Sequence, residues 1–453
     1  MSRAAVTARK GNGYFTWAER SFAPRQIFDK PEALKGIRVV ELCTLILGPA
    51  TPDFLGEFGA EVIKVELPGS GDTMRYVPPN GWFWRNLCFG FATQNHGKYQ
   101  VAIDVHHAEG QELFRRLAAK ADVVVENVRP GTMDNWGLGY RQLCRLNPKL
   151  IYLAATGFGQ WGPFSVGRAS YDLLAQAASG LAGITGFPER SPMKSGIYLG
   201  DYFGALMNCI GILAALHHRG RTGQGQFIEY SQAEGLIRTM DWTWLYQGLT
   251  GKERQRSGNR DVAISPSDIF RCKNGLVAIA AGRDGEFAGL CLAMRRERLA
   301  KDRRFVTLQA RLVEEHNLAL NRVIAEWVAG RTVKELVGLG QRFGFAAAPV
   351  QHAKDHHRDQ HLRARGAVWQ YEDPLYGDMV EYGPAPKLSG TPGRIKWAAR
   401  PVGFHNAYVF RKLLGLTSKE ILALEDRKVI GKWADRVGAK PPDDWIPGQG
   451  EIF

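Results

Sequence analysis

Two acidic residues stand in settings that could support covalent chemistry. Asp172 closes the triplet Ser170-Tyr171-Asp172, and Asp201 follows in the stretch Leu199-Gly200-Asp201-Tyr202-Phe203-Gly204. An acid flanked by glycine and opening a long apolar helix lies where backbone N–H groups and the helix dipole favour a carboxylate. Asp201 is therefore expected to be ionised and available as a nucleophile. The same pattern also fits a plain helix N-cap, and the residues alone leave both readings open.

Other chemistry-bearing patterns are weaker. There is no Walker-type loop and no GxGxxG between a strand and a helix. Gly69-Ser70-Gly71-Asp72 could cradle a phosphate on its backbone N–H groups or could be an ordinary turn. His352, His356, His357 and His361 contain an i, i+4 spacing that would suit a metal on one helix face. Lys354, Asp355, Arg358 and Asp359 interleave with them, which also fits an exposed polar helix, and no metal site is expected.

The elements that must position these residues read as α/β from Gly36 onward. Ile37 to Leu42 has the look of a strand, Pro49 to Phe58 of a helix ended by Gly59, and Glu61 to Glu66 of the next strand. A second βαβ unit runs through Val101 to Asp104, the helix Ala108 to Ala119 with Leu113 and Leu117 on one face, and Val123-Val124-Val125. Leu150 to Ala155 adds a further strand. Such units imply a parallel sheet covered by helices, with ligands beyond the carboxyl ends of its strands. The helix through Met207 to Leu216 is apolar on nearly every face and should lie in a core or a subunit interface. It ends at the turn Arg219-Gly220-Arg221-Thr222-Gly223.

Four regions follow from changes in pattern. Residues 1–33 mix aromatic and basic residues without periodicity and form an N-terminal extension. Residues 34–236 form the N-terminal part of a large domain and 237–345 a small one. Residues 346–453 complete the large domain and include a tail, with a strand over Val368 to Tyr371 and a helix opened by the capping box Thr417-Ser418-Lys419-Glu420.

Composition bounds the function class. The 453 residues are 45% hydrophobic and 11% aromatic, enough to bury a large core. The most apolar run, Leu206 to Leu216, is about half the roughly 20 residues of a membrane span, so no insertion is expected. Six cysteines without a CxxC pair fit reduced thiols in a cytoplasmic protein. The net charge of +14 is poorly clustered. The densest basic stretch, Met294 to Phe305, also carries Glu297 and Asp302, so a solvated helix face explains it without nucleic acid. The same excess would attract a multiply anionic small ligand.

Five ordered motifs sharpen this reading: Gly36-Ile37-Arg38-Val39-Val40-Glu41-Leu42, Gly48-Pro49-Ala50, Gly59 through Glu66, Val125-Glu126-Asn127-Val128-Arg129-Pro130-Gly131, and Thr222-Gly223-Gln224-Gly225-Gln226. Together they resemble the class III CoA-transferases, which include formyl-CoA and carnitine CoA-transferases and have the α-methylacyl-CoA racemases as relatives. The resemblance spans about residues 34 to 430. It implies a large Rossmann-like parallel-sheet domain, a smaller α+β domain and an interlocked dimer, either of one chain or with a paralogue. It also implies Asp201 as the nucleophile, carrying CoA as an aspartyl thioester. By motif position, Ile103, His106, Asn127, Arg129 and Tyr171 should line the CoA path, with Asp172 beside the reacting centre and Lys98 near its mouth. CoA arrives as part of the substrate, and neither a metal nor a redox cofactor is implied. Thr44 and Ile46 stand where formyl-CoA transferase has polar residues, which argues against formyl-CoA and oxalate. Asn135 replaces a frequent CoA-contacting Arg. Trp82-Phe83-Trp84 suggests a larger acyl group, with succinyl-CoA or acetyl-CoA as donor, or else belongs to a core. The racemase branch usually has a His where this chain has Tyr171, so transfer is favoured over racemisation. A non-catalytic CoA-binding subunit is the remaining alternative, and the presence of Asp201 counts against it.

Overall fold

A computed structural model describes residues 13–165 and 167–433, and its contacts divide the chain into two units. Of the described residues, the larger contains those within 21–181, 195–241 and 360–433. The smaller contains 13–20, 182–194 and 242–359. The change in sequence periodicity, by comparison, puts the boundaries of the small domain at 237 and 345.

The larger unit is built on six parallel strands. They are β1 (Arg38–Leu42), β2 (Glu61–Glu66), β3 (Tyr99–Ala102), β4 (Val123–Glu126), β5 (Ile151–Thr156) and β6 (Phe227–Ser231). Their spatial order is β3-β2-β1-β4-β5-β6, every neighbouring pair parallel. The apolar runs the sequence shows are what a sheet buried on both faces requires. Val40, Ile63, Val65, Val101 and Val124 face one core with Phe114 and Leu117 of helix α2 (Ala108–Ala118), closed from the C-terminal part by Val409, Phe410 and Leu424. Val39, Val62, Val123, Val125, Ile151 and Leu153 face the other, against Leu55 of α1 (Leu47–Glu57) and Cys209, Ile212 and Ala215 of a long helix, α4 (Leu199–Thr222).

Helix α4 ends where Gly223 takes a left-handed conformation (φ 74°), the usual stop for a helix. By length and composition it could cross a membrane, yet one stripe packs on the sheet while Leu206, Ile210 and Leu213 stay exposed. Two short helices, α3 (Asp172–Ala178) and α5 (Gln232–Arg238), flank its first turns. The expected capping box at Thr417 forms, with Thr417 Oγ1 accepting from Glu420 N–H and the Glu420 carboxylate accepting from Thr417 N–H.

The smaller unit has a three-stranded antiparallel sheet, in the order β9 (Ala346–Pro349), β8 (Gly275–Ala280), β7 (Ser267–Cys272). Its core packs Val277 and Ile279 against Phe287, Leu290, Leu320, Ile324 and Leu336 from the adjoining helices. In the larger unit an antiparallel ribbon, β10 (Val368–Asp373) and β11 (Gly377–Tyr382), follows.

Candidate active site

The order β3-β2-β1-β4-β5-β6 reverses direction between β1 and β4, and a doubly wound sheet opens its ligand crevice at the carboxyl ends of such a pair. The residues leaving these two strands are tied together. Thr44 N–H donates to Asn127 Oδ1, and Asn127 Nδ2 donates to Thr44 O, both at 2.9 Å. The backbone of Gly48 presses against this pair. A Cβ there would lie 2.6 Å from Asn127 Cγ and 2.8 Å from Cys43 Sγ, so only glycine fits.

Asp201 lies in the first turn of α4, and its surroundings fix both its position and its charge. Asp172, buried at the start of α3, accepts from Gly200 N–H at 2.8 Å and from Gln176 Nε2 at 2.6 Å. Gln176 is held in turn by Ser195, whose N–H donates to Gln176 Oε1 at 2.8 Å. The N-terminus of α4 is thus pinned by a carboxylate, as an unsatisfied helix N–H favours. Gln232, the first residue of α5, donates Nε2 to Asp201 Oδ1 at 2.7 Å. Burial and the neighbouring Asp172 charge push the Asp201 carboxyl up to about 7, and the Gln232 hydrogen bond only partly opposes them. Burial and the Asp172 charge therefore work against the ionised form that the helix terminus favours, so Asp201 ionises less readily than its place in the chain suggests.

Tyr230 lies under the same turn, and the sequence reading missed it. Its ring occupies space that two glycines leave open. A Cβ on Gly235 would come within 1.8 Å of Tyr230 Oη, and one on Gly204 within 2.9 Å of Tyr230 Cε1. The hydroxyl is buried and makes no hydrogen bond. Burial and the Asp201 charge raise its pKa, so it keeps its proton and offers a donor.

The expected CoA-path residues divide into two groups. His106 is exposed beyond β3, with Nδ1 2.8 Å from Asp104 Oδ1 and its ring edge-on to Trp136 at 5.0 Å. Arg129 is exposed after β4, and its guanidinium has no ion pair or hydrogen bond among the described residues. Tyr171 is 63% exposed beside Asp172. Two others are differently placed. Lys98 is fully buried and gives its ammonium hydrogens to Glu41 Oε1 (2.9 Å), Pro49 O (2.7 Å) and Asn95 Oδ1 (3.1 Å), so it is internal rather than at a mouth. The Ile103 side chain is 1% exposed in the sheet core and has no surface left to line a path.

Several open readings resolve. The N–H groups of Gly69, Gly71 and Asp72 bond to Lys432 O, Leu67 O and Glu66 Oε1, so that stretch is a turn with three of its four backbone donors used within the protein. His352, His356, His357 and His361 are exposed on two short separate helices. Trp82, Phe83 and Trp84 are exposed and not core.

Comparison with known proteins agrees with this geometry. The family model for CoA-transferase family III matches residues 34–406. The chain is 38% identical to succinyl-CoA--D-citramalate CoA-transferase of Chloroflexus aurantiacus, covering 88% of this chain and 98% of that one. It is 37% identical to the alpha subunit of succinyl-CoA--L-malate CoA-transferase of the same organism, covering 88% and 92%. A crystal structure of a CAIB/BAIF family protein from Brucella suis superposes with TM-score 0.76 at 32% identity, covering 85% of this chain and all of that one. With the residues at the switch point tied together and a half-buried aspartate in the first turn of α4, these matches mean that the chain belongs to CoA-transferase family III and moves coenzyme A from an acyl-CoA to a carboxylic acid.

Proposed function

We propose that this enzyme transfers CoA from succinyl-CoA to a short dicarboxylic or hydroxydicarboxylic acid through a covalent intermediate on Asp201. The observation that carries this reading is the Asp201 carboxylate itself, dehydrated, held by a single side-chain hydrogen bond and carried on a rigid helix start. The donor and acceptor classes rest on relatives named for succinyl-CoA with D-citramalate, L-malate, mesaconate or glutarate.

Ionised Asp201 attacks the succinyl-CoA carbonyl. The C–S bond breaks, and a mixed anhydride and CoA thiolate result. The thiolate attacks the Asp201 carbonyl, expelling succinate and leaving an aspartyl-CoA thioester. The acceptor carboxylate then attacks that thioester, and the released thiolate takes the acceptor acyl group, restoring Asp201. Tyr230 Oη–H is the donor best placed to stabilise an oxyanion at the Asp201 carbonyl. Arg129 and His106 bind the anionic part of CoA, and Asn127 fixes the crevice between β1 and β4. Thioester energy drives every step, so neither metal nor redox cofactor is needed for transfer.

The enzyme works in the cytoplasm as a dimer whose partner covers the bare face of α4. Relatives named as alpha and beta subunits leave a paired paralogue as the alternative to a homodimer. Incubating wild type and Asp201→Ala with succinyl-CoA, followed by borohydride trapping and intact mass, tests the mechanism. An adduct on wild type alone, localised to the Asp201 peptide, is expected. Measurable succinyl-CoA binding with no adduct and no transfer to any of the four acids would refute it.

A further inference from the structure

Away from the reacting carboxylate, the larger unit buries a second group of ionisable side chains that the transfer does not use. Asp53 and Glu57 lie one turn apart on α1, and His96 lies in the segment leading into β3. His96 Nε2 is 3.4 Å from Asp53 Oδ2 and 3.4 Å from Glu57 Oε1. The three side chains can each offer one ligand atom within 4.8 Å of the others. All are buried, and His96 is only 6% exposed. His96 Nε2 and Asp53 Oδ1, which face the centre of the group, make no hydrogen bond of ordinary geometry.

Two features distinguish this group from an ordinary buried ion pair. The first is spacing. Two donors bound about 2.1 Å from one ion at the tetrahedral angle lie about 3.4 Å apart, whereas N–H···O bonds cluster near 2.9 Å. Both contacts of Nε2 have the longer separation. The second is the other ring nitrogen, Nδ1, which faces Glu381 Oε2 of β11 at 3.1 Å. Glu381 Oε1 accepts from Tyr371 Oη, which fixes that carboxylate. A carboxylate behind one nitrogen, with the opposite nitrogen turned to two more carboxylates, is the usual support of a metal-binding imidazole. Charge points the same way. Three carboxylates surround one imidazole, while the ammonium of Lys98 is committed to Glu41, Pro49 and Asn95.

We propose that Asp53, Glu57 and His96 form a structural site for one divalent transition-metal ion, with Glu381 orienting the imidazole. Two carboxylate oxygens and one nitrogen suit zinc, manganese or cobalt, and they leave one position for water. The ion joins α1, the segment before β3 and β11. It takes no part in the transfer and holds the helix whose first turn carries Leu47 and Gly48 beside the crevice.

The test is elemental analysis of tag-free protein grown with added zinc, manganese or cobalt salts, alongside Asp53→Asn. That variant keeps the shape of the side chain and removes its charge, and circular dichroism checks its fold. One ion per chain in wild type, lost in a folded Asp53→Asn with a lower Tm, is expected. Metal-free wild type from all three media, with Asp53→Asn as stable or more stable, overturns the site and leaves an imidazolium clamped by carboxylates. Equal metal in both proteins also overturns it, because the ion then sits elsewhere, as on the exposed histidines after residue 351.

Discussion

Replacing Asp201 by Asn separates the electrostatic account of this residue from its chemistry. Asn keeps an Oδ1 that can accept from Gln232, but it carries no charge and cannot form an anhydride. The folded protein holds the Asp201 carboxyl at about 7 against an ordinary 3.8. A raised folded-state pKa means that stability is fully present below about 3.8 and is lost as pH rises to about 7. Each unit is worth about 1.4 kcal/mol, so the rise amounts to about 4 kcal/mol at and above neutral pH. Solvent reaching this partly buried group and relaxation around the charge reduce this to roughly 2 to 4 kcal/mol. Asp201→Asn should therefore be no more stable than wild type near pH 4, more stable by roughly half that amount at pH 5.5, and most stabilised at pH 8. Parallel thermal unfolding from pH 4 to 8 would read this as a Tm difference that grows to several degrees. A difference that stays constant across the range, or an Asn variant less stable at pH 8, would refute the claim that dehydration dominates at this carboxylate.

Other consequences follow from the same geometry. On the proposed route Asp201 must be ionised to attack, so kcat/KM for the acyl-CoA should rise with pH to a plateau above about 7. Gln232→Leu, which removes the opposing hydrogen bond, should move that midpoint upward in a pH–rate profile. Lys98→Met should destabilise the fold by about 3 kcal/mol in chemical denaturation, by removing the nearer of the two ammonium groups that face buried Glu41, while leaving the KM for acyl-CoA unchanged. A large KM effect with intact stability would instead put Lys98 at the CoA path. Arg129→Gln should raise the KM for acyl-CoA about tenfold at low salt and less at high salt, since the exposed guanidinium acts by charge. Gly235→Ala should cost about 1–3 kcal/mol in denaturation, and adding Tyr230→Val should recover much of it, because the three atoms nearest the new Cβ all belong to the tyrosine.

What the sequence could convey depended on how local the cause was. Strands β1, β2, β4 and β5 are legible because a sheet buried on both faces needs continuous apolar runs. Strand β3 ends at Ala102 although Ile103 is equally apolar: Ile103 N–H still donates to Glu66 O of β2, but its bridge is to Ile430 from the C-terminal part of the chain. Asp201 was legible because glycines and a helix start surround it in the chain. Its proton affinity was not, since that depends on Asp172 and on burial beneath segments far away in sequence. Lys98 shows the same limit. A lysine after a glycine looks like a surface cation, and only the fold brings Glu41 and the Pro49 carbonyl to it. Gly204 and Gly235 were visible as residues, but the ring they accommodate, Tyr230, is identified only by the packing.

The raised Asp201 pKa bears on direction as well as rate. On the proposed route the mixed anhydride has two carbonyls, and attack at either expels the other's carboxylate. Thiolate attack at the substrate carbonyl expels Asp201 and merely returns the donor. Attack at the Asp201 carbonyl expels the substrate acid and advances the transfer. The better leaving group is the less basic one, and an ordinary carboxylate near 4 is much less basic than one near 7. Dehydrating Asp201 thus makes it the poorer leaving group and favours the productive branch in the donor half of the cycle, whereas in the acceptor half, where Asp201 must itself be expelled, the same basicity works against completion. A tyrosine donor at the Asp201 carbonyl would add to that bias. Tyr230→Phe should accordingly slow formation of the trapped adduct more than it weakens acyl-CoA binding. It should also unfold no more readily than wild type, because the lost hydroxyl is buried without a partner. An adduct forming at the wild-type rate in Tyr230→Phe would mean that the leaving-group difference alone sets the direction.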